Sequence, residues 1–213
     1  MARPLPPRPF LYPIVDVAAL RERAVGGAVA ALVAGGARIV QFRAKGLADR
    51  RFLELAAEAR SAAHAGGAAL VVNDRPDVAI ILGADGVHLG QDDLDPRPVR
   101  ALLPPGFLLG VSTHDVEQLE RAAGEPVDYV AIGPVFATRS KAAPDPVVGL
   151  EMVRRARGRT ARPLVAIGGI TEENARSVVD AGADGVAVIS ALLSQEGDLA
   201  DAARRFAAAL ERR

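Results

Sequence analysis

The sequence predicts a single-domain α/β protein of the (β/α)8 barrel, or TIM barrel, class, and three observations carry that prediction. Short β-branched runs alternate with longer Ala/Leu/Arg stretches down the whole chain, the rhythm of repeated βα units. Eight such runs in 213 residues leave about 27 residues per unit, compact but sufficient for a barrel. The connections into the strands also repeat: Gly35-Gly36-Ala37, Gly66-Gly67-Ala68, and one identical Gly-Ala-Asp-Gly-Val segment at 83–87 and again at 182–186, 99 residues later. Each reads as a helix-ending glycine feeding a strand, and the identical pair suggests equivalent places in two half-barrels. A doubly wound open sheet is the competing architecture, but no Gly-x-Gly-x-x-Gly follows the first strand and no Walker loop exists.

The predicted strands are Phe10–Val15, Arg38–Arg43, Ala69–Asn73, Gly86–Leu89, Phe107–Val111, Tyr129–Ile132, Leu164–Ile167 and Gly185–Ile189. In a barrel the chemistry belongs where strands end. On the second strand, period 2 puts Ile39, Gln41, Arg43 and Lys45 on one side and Val40, Phe42 and Ala44 on the other. If the first set faces inward, it delivers an amide, a guanidinium and an ammonium to the mouth; the alternative is an edge strand with a solvated face. The third strand ends in Asn73-Asp74-Arg75 and the fourth runs into His88-Leu89-Gly90-Gln91-Asp92-Asp93-Leu94-Asp95. Carboxylates leaving adjacent strands, about 4.8 Å apart, suit one hard divalent cation, although Asp-rich turns also cap helices. With Arg43 and Lys45 next door, they fit a diphosphate held through Mg²⁺.

The fifth strand ends in Gly110-Val111-Ser112-Thr113-His114, where His114 is either a general base or a helix-start residue. His64 reads as a surface residue, and His88 as a hydrogen-bonded histidine inside the barrel. After the sixth strand comes the longest connection, with Thr138, Ser140 and Lys141, expected as a mobile active-site loop over 136–146 or as a plain surface loop. The seventh and eighth strands end in Ile167-Gly168-Gly169 and Ile189-Ser190, turns whose amides suit a phosphate.

Composition narrows the chemistry. Lys+Arg and Asp+Glu are both 26, so there is no basic excess of the kind a general nucleic-acid binder uses. Absence of cysteine excludes disulfides, a thiolate nucleophile and Cys-ligated metals. Only Lys45 and Lys141 among the basic residues are lysine. An arginine-biased chain that keeps an ammonium at two places points to phosphate approached end-on. The longest run without a charged residue or histidine, Ala24 to Ala37, is too short and too rich in small residues to span a membrane. Residues 1–9 read as a flexible proline-rich arm without a signal-peptide core, so a cytoplasmic location is expected.

Taken in order, Gln41-Phe42-Arg43-Ala44-Lys45, Asn73-Asp74-Arg75, Gly90-Gln91-Asp92-Asp93, Gly110-Val111-Ser112, Thr138-Arg139-Ser140-Lys141, Ile167-Gly168-Gly169-Ile170 and Ile189-Ser190 resemble the thiamine phosphate synthase family, from Tyr12 to about Leu193. The resemblance implies an enzyme that joins a hydroxymethylpyrimidine diphosphate to a thiazole phosphate and releases pyrophosphate, in a barrel that uses one Mg²⁺. Carried over by motif, Asp74 and Asp93 are the Mg²⁺ ligands, and Arg43, Lys45 and Lys141 act on the diphosphate. Gln41, Asn73 and Ser112 hold the aminopyrimidine. Thr138 and Ser140, with the backbone at Gly169, Ile189 and Ser190, hold the thiazole phosphate. The implied reaction is dissociative, so it rests on charge neutralisation and positioning rather than on a base. Val15, Ala44, Ala137 and Ser140 depart from the residues usual in the family. The expected partners are these small molecules, with no nucleic acid and no membrane; a homodimer is left open. Other readings are the related thiazole tautomerase, a noncatalytic thiazole-phosphate binder, and a phosphosugar epimerase or aldolase with a Schiff-base lysine.

Overall fold

Alternation along each strand decides which residues enter the ring. In the computed structural model, which describes residues 4–138, 145–195 and 197–211, eight parallel strands close in sequence order into one barrel. They are β1 (Phe10–Asp16), β2 (Ile39–Arg43), β3 (Ala69–Asn73), β4 (Gly86–Leu89), β5 (Leu108–Thr113), β6 (Tyr129–Ile132), β7 (Leu164–Ile167) and β8 (Gly185–Val188). The helices α1 (Val25–Ala34), α2 (Asp49–Ala65), α3 (Pro76–Leu82), α4 (Pro96–Leu102), α5 (Val116–Ala123), α6 (Gly149–Arg157), α7 (Ala175–Asp180) and α8 (Ser190–Leu193) each follow a strand, and α9 (Leu199–Glu211) completes the outer layer. An open sheet is thereby excluded. Among the described residues, no helix is long and apolar enough to cross a membrane.

Period 2 sorts the core into two clusters. Leu11, Val40, Phe42, Leu70, Val72, Val87, Leu109, Val130 and Val186 face the helices. Phe10, Tyr12, Ile14, Ile39, Val71, Leu108, Tyr129, Val165 and Ala187 fill the barrel. The expected alternation of β2 is therefore the observed one.

The repeated Gly-Ala-Asp-Gly-Val segments sit before β4 and β8, four strands apart. Their aspartates do the same work. Asp85 accepts the Leu70 amide at 2.8 Å and Asp184 the Leu164 amide at 2.9 Å, each reaching back to the start of the preceding strand. Asp128, before β6, does likewise with Leu109 at 2.7 Å. Each carboxylate also meets a basic side chain: His64 on Asp85 at 2.7 Å, Arg100 on Asp128, and Arg157 on Asp184 at 2.8 Å. His64 is thus engaged in the barrel floor rather than idle on the surface. At the same end, Leu5 packs on the inner cluster and Arg8 bonds Asp184 at 2.7 Å, so this part of the proline-rich arm lies against the barrel.

Asp85 is 1% exposed, and its loss would leave the Leu70 amide and His64 without their acceptor. We expect Asp85→Ala to lower unfolding free energy by about 1–3 kcal/mol. Urea titration measures this, and an unchanged midpoint would show that the floor carboxylates are dispensable.

Candidate active site

The inward rows finish differently around the ring. From β1 to β5 they run out to Asp16, Arg43, Asn73, His88 and Ser112; from β6 to β8 they run out to Gly133, Ile167 and Ile189. One wall of the mouth is therefore ionic and polar, and the other apolar with exposed backbone. Between them lies a cavity of about 1100 Å³ including its open mouth, lined by Gln41, Arg43, Lys45, Asn73, Asp74, Asp93, Ser112, Thr138, Gly169, Ile189 and Ser190. The structure brings these sequence-predicted residues together; Ser140 and Lys141 lie outside the described residues.

On the ionic wall, parallel register pairs Asp16 with Arg43, and the two form a salt bridge. Lys45 Nζ stands 2.7 Å from Asp74 Oδ2. Asp74 itself has φ +65°, and the Arg75 amide bonds the Asn73 carbonyl across it at 2.9 Å. That is a γ-turn of the strained, positive-φ form, which aims the carboxylate into the mouth. Asp93 accepts the Gly90 amide at 2.7 Å and faces Asp74. Burial first, and the hydrogen bond with Asp74 second, raise the Asp93 carboxyl above its ordinary value. The neighbouring acids separate by role: Asp95 caps α4 through the Arg97 amide at 2.8 Å, and Asp92 is exposed.

Two carboxylates crowded in this way suit a cation between them. Among the described residues no three His, Asp or Glu side chains converge, so a metal held here would take most of its ligands from water and substrate oxygens. Mg²⁺ prefers such a set. The donor atoms therefore fit Mg²⁺.

Below the charges lies a hydrogen-bonded polar floor. Gln41 Nε2 donates to Tyr12 Oη at 3.4 Å, and the hydroxyls of Tyr12 and Tyr129 are 2.9 Å apart. His88 joins Tyr129 through Nδ1 at 3.0 Å and Ser112 through Nε2 at 2.9 Å. Burial raises both phenols well above their ordinary value, so neither supplies a phenolate. The tyrosines were not among the sequence-predicted site residues, yet a signal existed: they are the only two in the chain, and both occupy inward positions. Gly110 makes the chain of bonds possible. Register places it between His88 and Tyr129, whose rings stack at 5.6 Å, and a Cβ there would lie 2.0 Å from the Tyr129 ring.

At the rim, His114 Nδ1 donates to the Gly133 carbonyl at 2.6 Å, leaving Nε2 3.5 Å from Asp145 Oδ2. Asp145 is the carboxylate partner that the sequence did not identify. On the opposite wall, Gly169 has φ +64°, and a Cβ on it would meet the Ala137 carbonyl at 2.4 Å. Glycine there lets the turn after β7 lie against the segment leading to Thr138. Asn174 fixes that turn, accepting from the Thr171 amide at 2.8 Å and donating to the Gly169 carbonyl at 3.1 Å.

Gly110→Ala should push Tyr129 off His88 and cost about 1–3 kcal/mol of stability through overpacking. Thermal denaturation measures the loss; a variant as stable as the parent, with the rings still stacked in its crystal structure, would refute this.

The chain as a whole is similar to known proteins. A sequence model of the family described as thiamine monophosphate synthase matches residues 11–192. The thiamine-phosphate synthase of Koribacter versatilis (strain Ellin345) is 54% identical over 162 residues, 76% of this chain and 76% of that one. That of Methanoculleus marisnigri is 47% identical over 194 residues, 91% of this chain and 92% of the relative. Among solved structures, thiamine phosphate pyrophosphorylase from Pyrococcus furiosus matches with a TM-score of 0.85 and 34% identity, covering 95% of both chains.

Proposed function

The chain belongs to the thiamine monophosphate synthase family, and from that premise we propose that it joins 4-amino-2-methyl-5-hydroxymethylpyrimidine diphosphate to a thiazole phosphate with the help of one Mg²⁺. The pyrimidine methylene loses its C–O bond to pyrophosphate and gains a C–N bond to the thiazole nitrogen, giving thiamine monophosphate. The observation that carries this reading is the pair of facing carboxylates, Asp74 and Asp93, with Arg43 and Lys45 on the same wall.

Asp74 and Asp93 would hold the Mg²⁺, which would supply positive charge to the departing pyrophosphate. Arg43 and Lys45 bind the diphosphate oxygens, exchanging Asp16 and Asp74 for substrate, and Lys141 joins them on the family's pattern. Gln41, Asn73 and Ser112 orient the aminopyrimidine over the polar floor, whose raised phenols place no phenolate beneath the methylene as it becomes electron-poor. Thr138 and Ser140, with the backbone at Gly169, Ile189 and Ser190, hold the thiazole phosphate on the opposite wall. The thiazole nitrogen carries no proton to remove, so the chain has only to position it.

Pyrophosphate release in the presence of both substrates tests the reading. It should require Mg²⁺ and stop on chelation, and Asp93→Ala should remove most activity at every Mg²⁺ concentration. Isomerisation of the thiazole without coupling would overturn it. pH supplies a second test. Because the Asp93 carboxyl is raised, protons compete with Mg²⁺ at higher pH than at an ordinary aspartate. The rate should therefore fall on the acid side, and that limb of the profile should move to lower pH as Mg²⁺ is raised. A limb indifferent to Mg²⁺ would separate the pair from metal binding.

A further inference from the structure

We propose that Arg75 is a positioning residue for the cation, fixing from outside the barrel the strained turn that presents Asp74 to Asp93. The inference rests on the reading of these two carboxylates as the cation's holders. Lys45 lies in the connection from β2 to α2, which delivers Asp49 as the first residue of α2, and Asp74 and Arg75 lie in the connection from β3 to α3. Two ion pairs tie these connections together: Lys45 to Asp74 at 2.7 Å on the inside, and Arg75 to Asp49 at 2.7 Å on the outside.

The inner tie does not survive the chemistry. A cation claims the Asp74 carboxylate and a phosphate claims Lys45, so only the outer tie persists through binding. It is built to persist. The Arg75 guanidinium grips both oxygens of Asp77, at 2.9 and 2.7 Å, while reaching Asp49 with its remaining nitrogen. Its central carbon, Cζ, lies over the Phe52 ring, 5.5 Å from the ring centre. Phe52 is buried and packs edge-on against Phe42 on the outer face of β2, so the clamp is seated on the strand that carries Gln41 and Arg43. Arg75's own amide closes the γ-turn around Asp74. A residue held at positive φ without being glycine persists only where its surroundings over-determine it, and Arg75 supplies that determination. A lysine could not replace it, because an ammonium neither forks across a carboxylate nor lies flat on a ring.

The test is Mn²⁺ binding in the presence of inorganic pyrophosphate, followed by loss of the free-ion electron paramagnetic resonance signal, alongside thermal denaturation of each variant. Arg75→Ala and Asp74→Asn should each weaken Mn²⁺ about 10- to 100-fold, with Arg75→Lys failing to restore wild-type affinity. Pyrophosphate binding without metal should be unchanged in Arg75→Ala. Should Arg75→Ala fail to fold, Asp49→Ala removes the outer tie alone and should weaken Mn²⁺ in the same direction. If Arg75→Ala, or Asp49→Ala in its place, binds Mn²⁺ as wild type does while Asp74→Asn does not, Arg75 has no positioning role, whatever its effect on melting. If Asp74→Asn also binds as wild type does, the cation reading falls and takes this proposal with it.

Discussion

Closing eight parallel strands in sequence order leaves no freedom over which residues enter the barrel, and that single geometric constraint organises the rest of the molecule. Once Ile39 faces inward, so do Gln41 and Arg43; once Ala69 does, so do Val71 and Asn73. Each inward row is largely apolar at its start, and those of β1 to β5 turn polar as they near the mouth. The register then chooses the partners. Asp16 meets Arg43 because those residues are paired across β1 and β2, and His88 meets Tyr129 because the position between them is Gly110.

The mouth of the free protein is internally compensated. Arg43 spends its charge on Asp16 and Lys45 on Asp74, while Asp93 is left facing Asp74 with its ionised form disfavoured. A mouth of this kind is poised for a ligand that brings both signs of charge together. An anion alone would have to displace Asp16 and Asp74 from their cations, and a cation alone would have to take Asp74 from Lys45. A metal with a polyphosphate satisfies all of these groups in one event, which is why the two are expected to bind with mutual dependence.

Much of this was legible in the sequence, because strand alternation and connection glycines are local signals. β3, β4, β6 and β7 have the predicted ends. β5 runs two residues further than its apolar pattern, to Thr113, because a barrel strand continues into its polar mouth where hydrophobicity no longer marks it. The ionic residues that line the cavity were legible as a set, since parity along β2 and the turns after β3 and β4 place them at one end. What the sequence could not show were partnerships made across distance. His64 with Asp85, His114 with Asp145 and Arg75 with Asp49 join residues whose separation follows no period. The positive φ of Asp74 is likewise invisible, since nothing in an Asn-Asp-Arg tripeptide distinguishes a γ-turn from a helix cap.

The bonded chain from Gln41 through Tyr12, Tyr129 and His88 to Ser112 has an evolutionary corollary. Changing any one member leaves a neighbour's donor or acceptor without its partner at the largely buried base of the cavity, so tolerated substitutions among these five positions should arrive in compensating combinations. Drift in the barrel interior is thereby coupled from β1 round to β6, and a lineage that abandons one member inherits the task of rebuilding its neighbours.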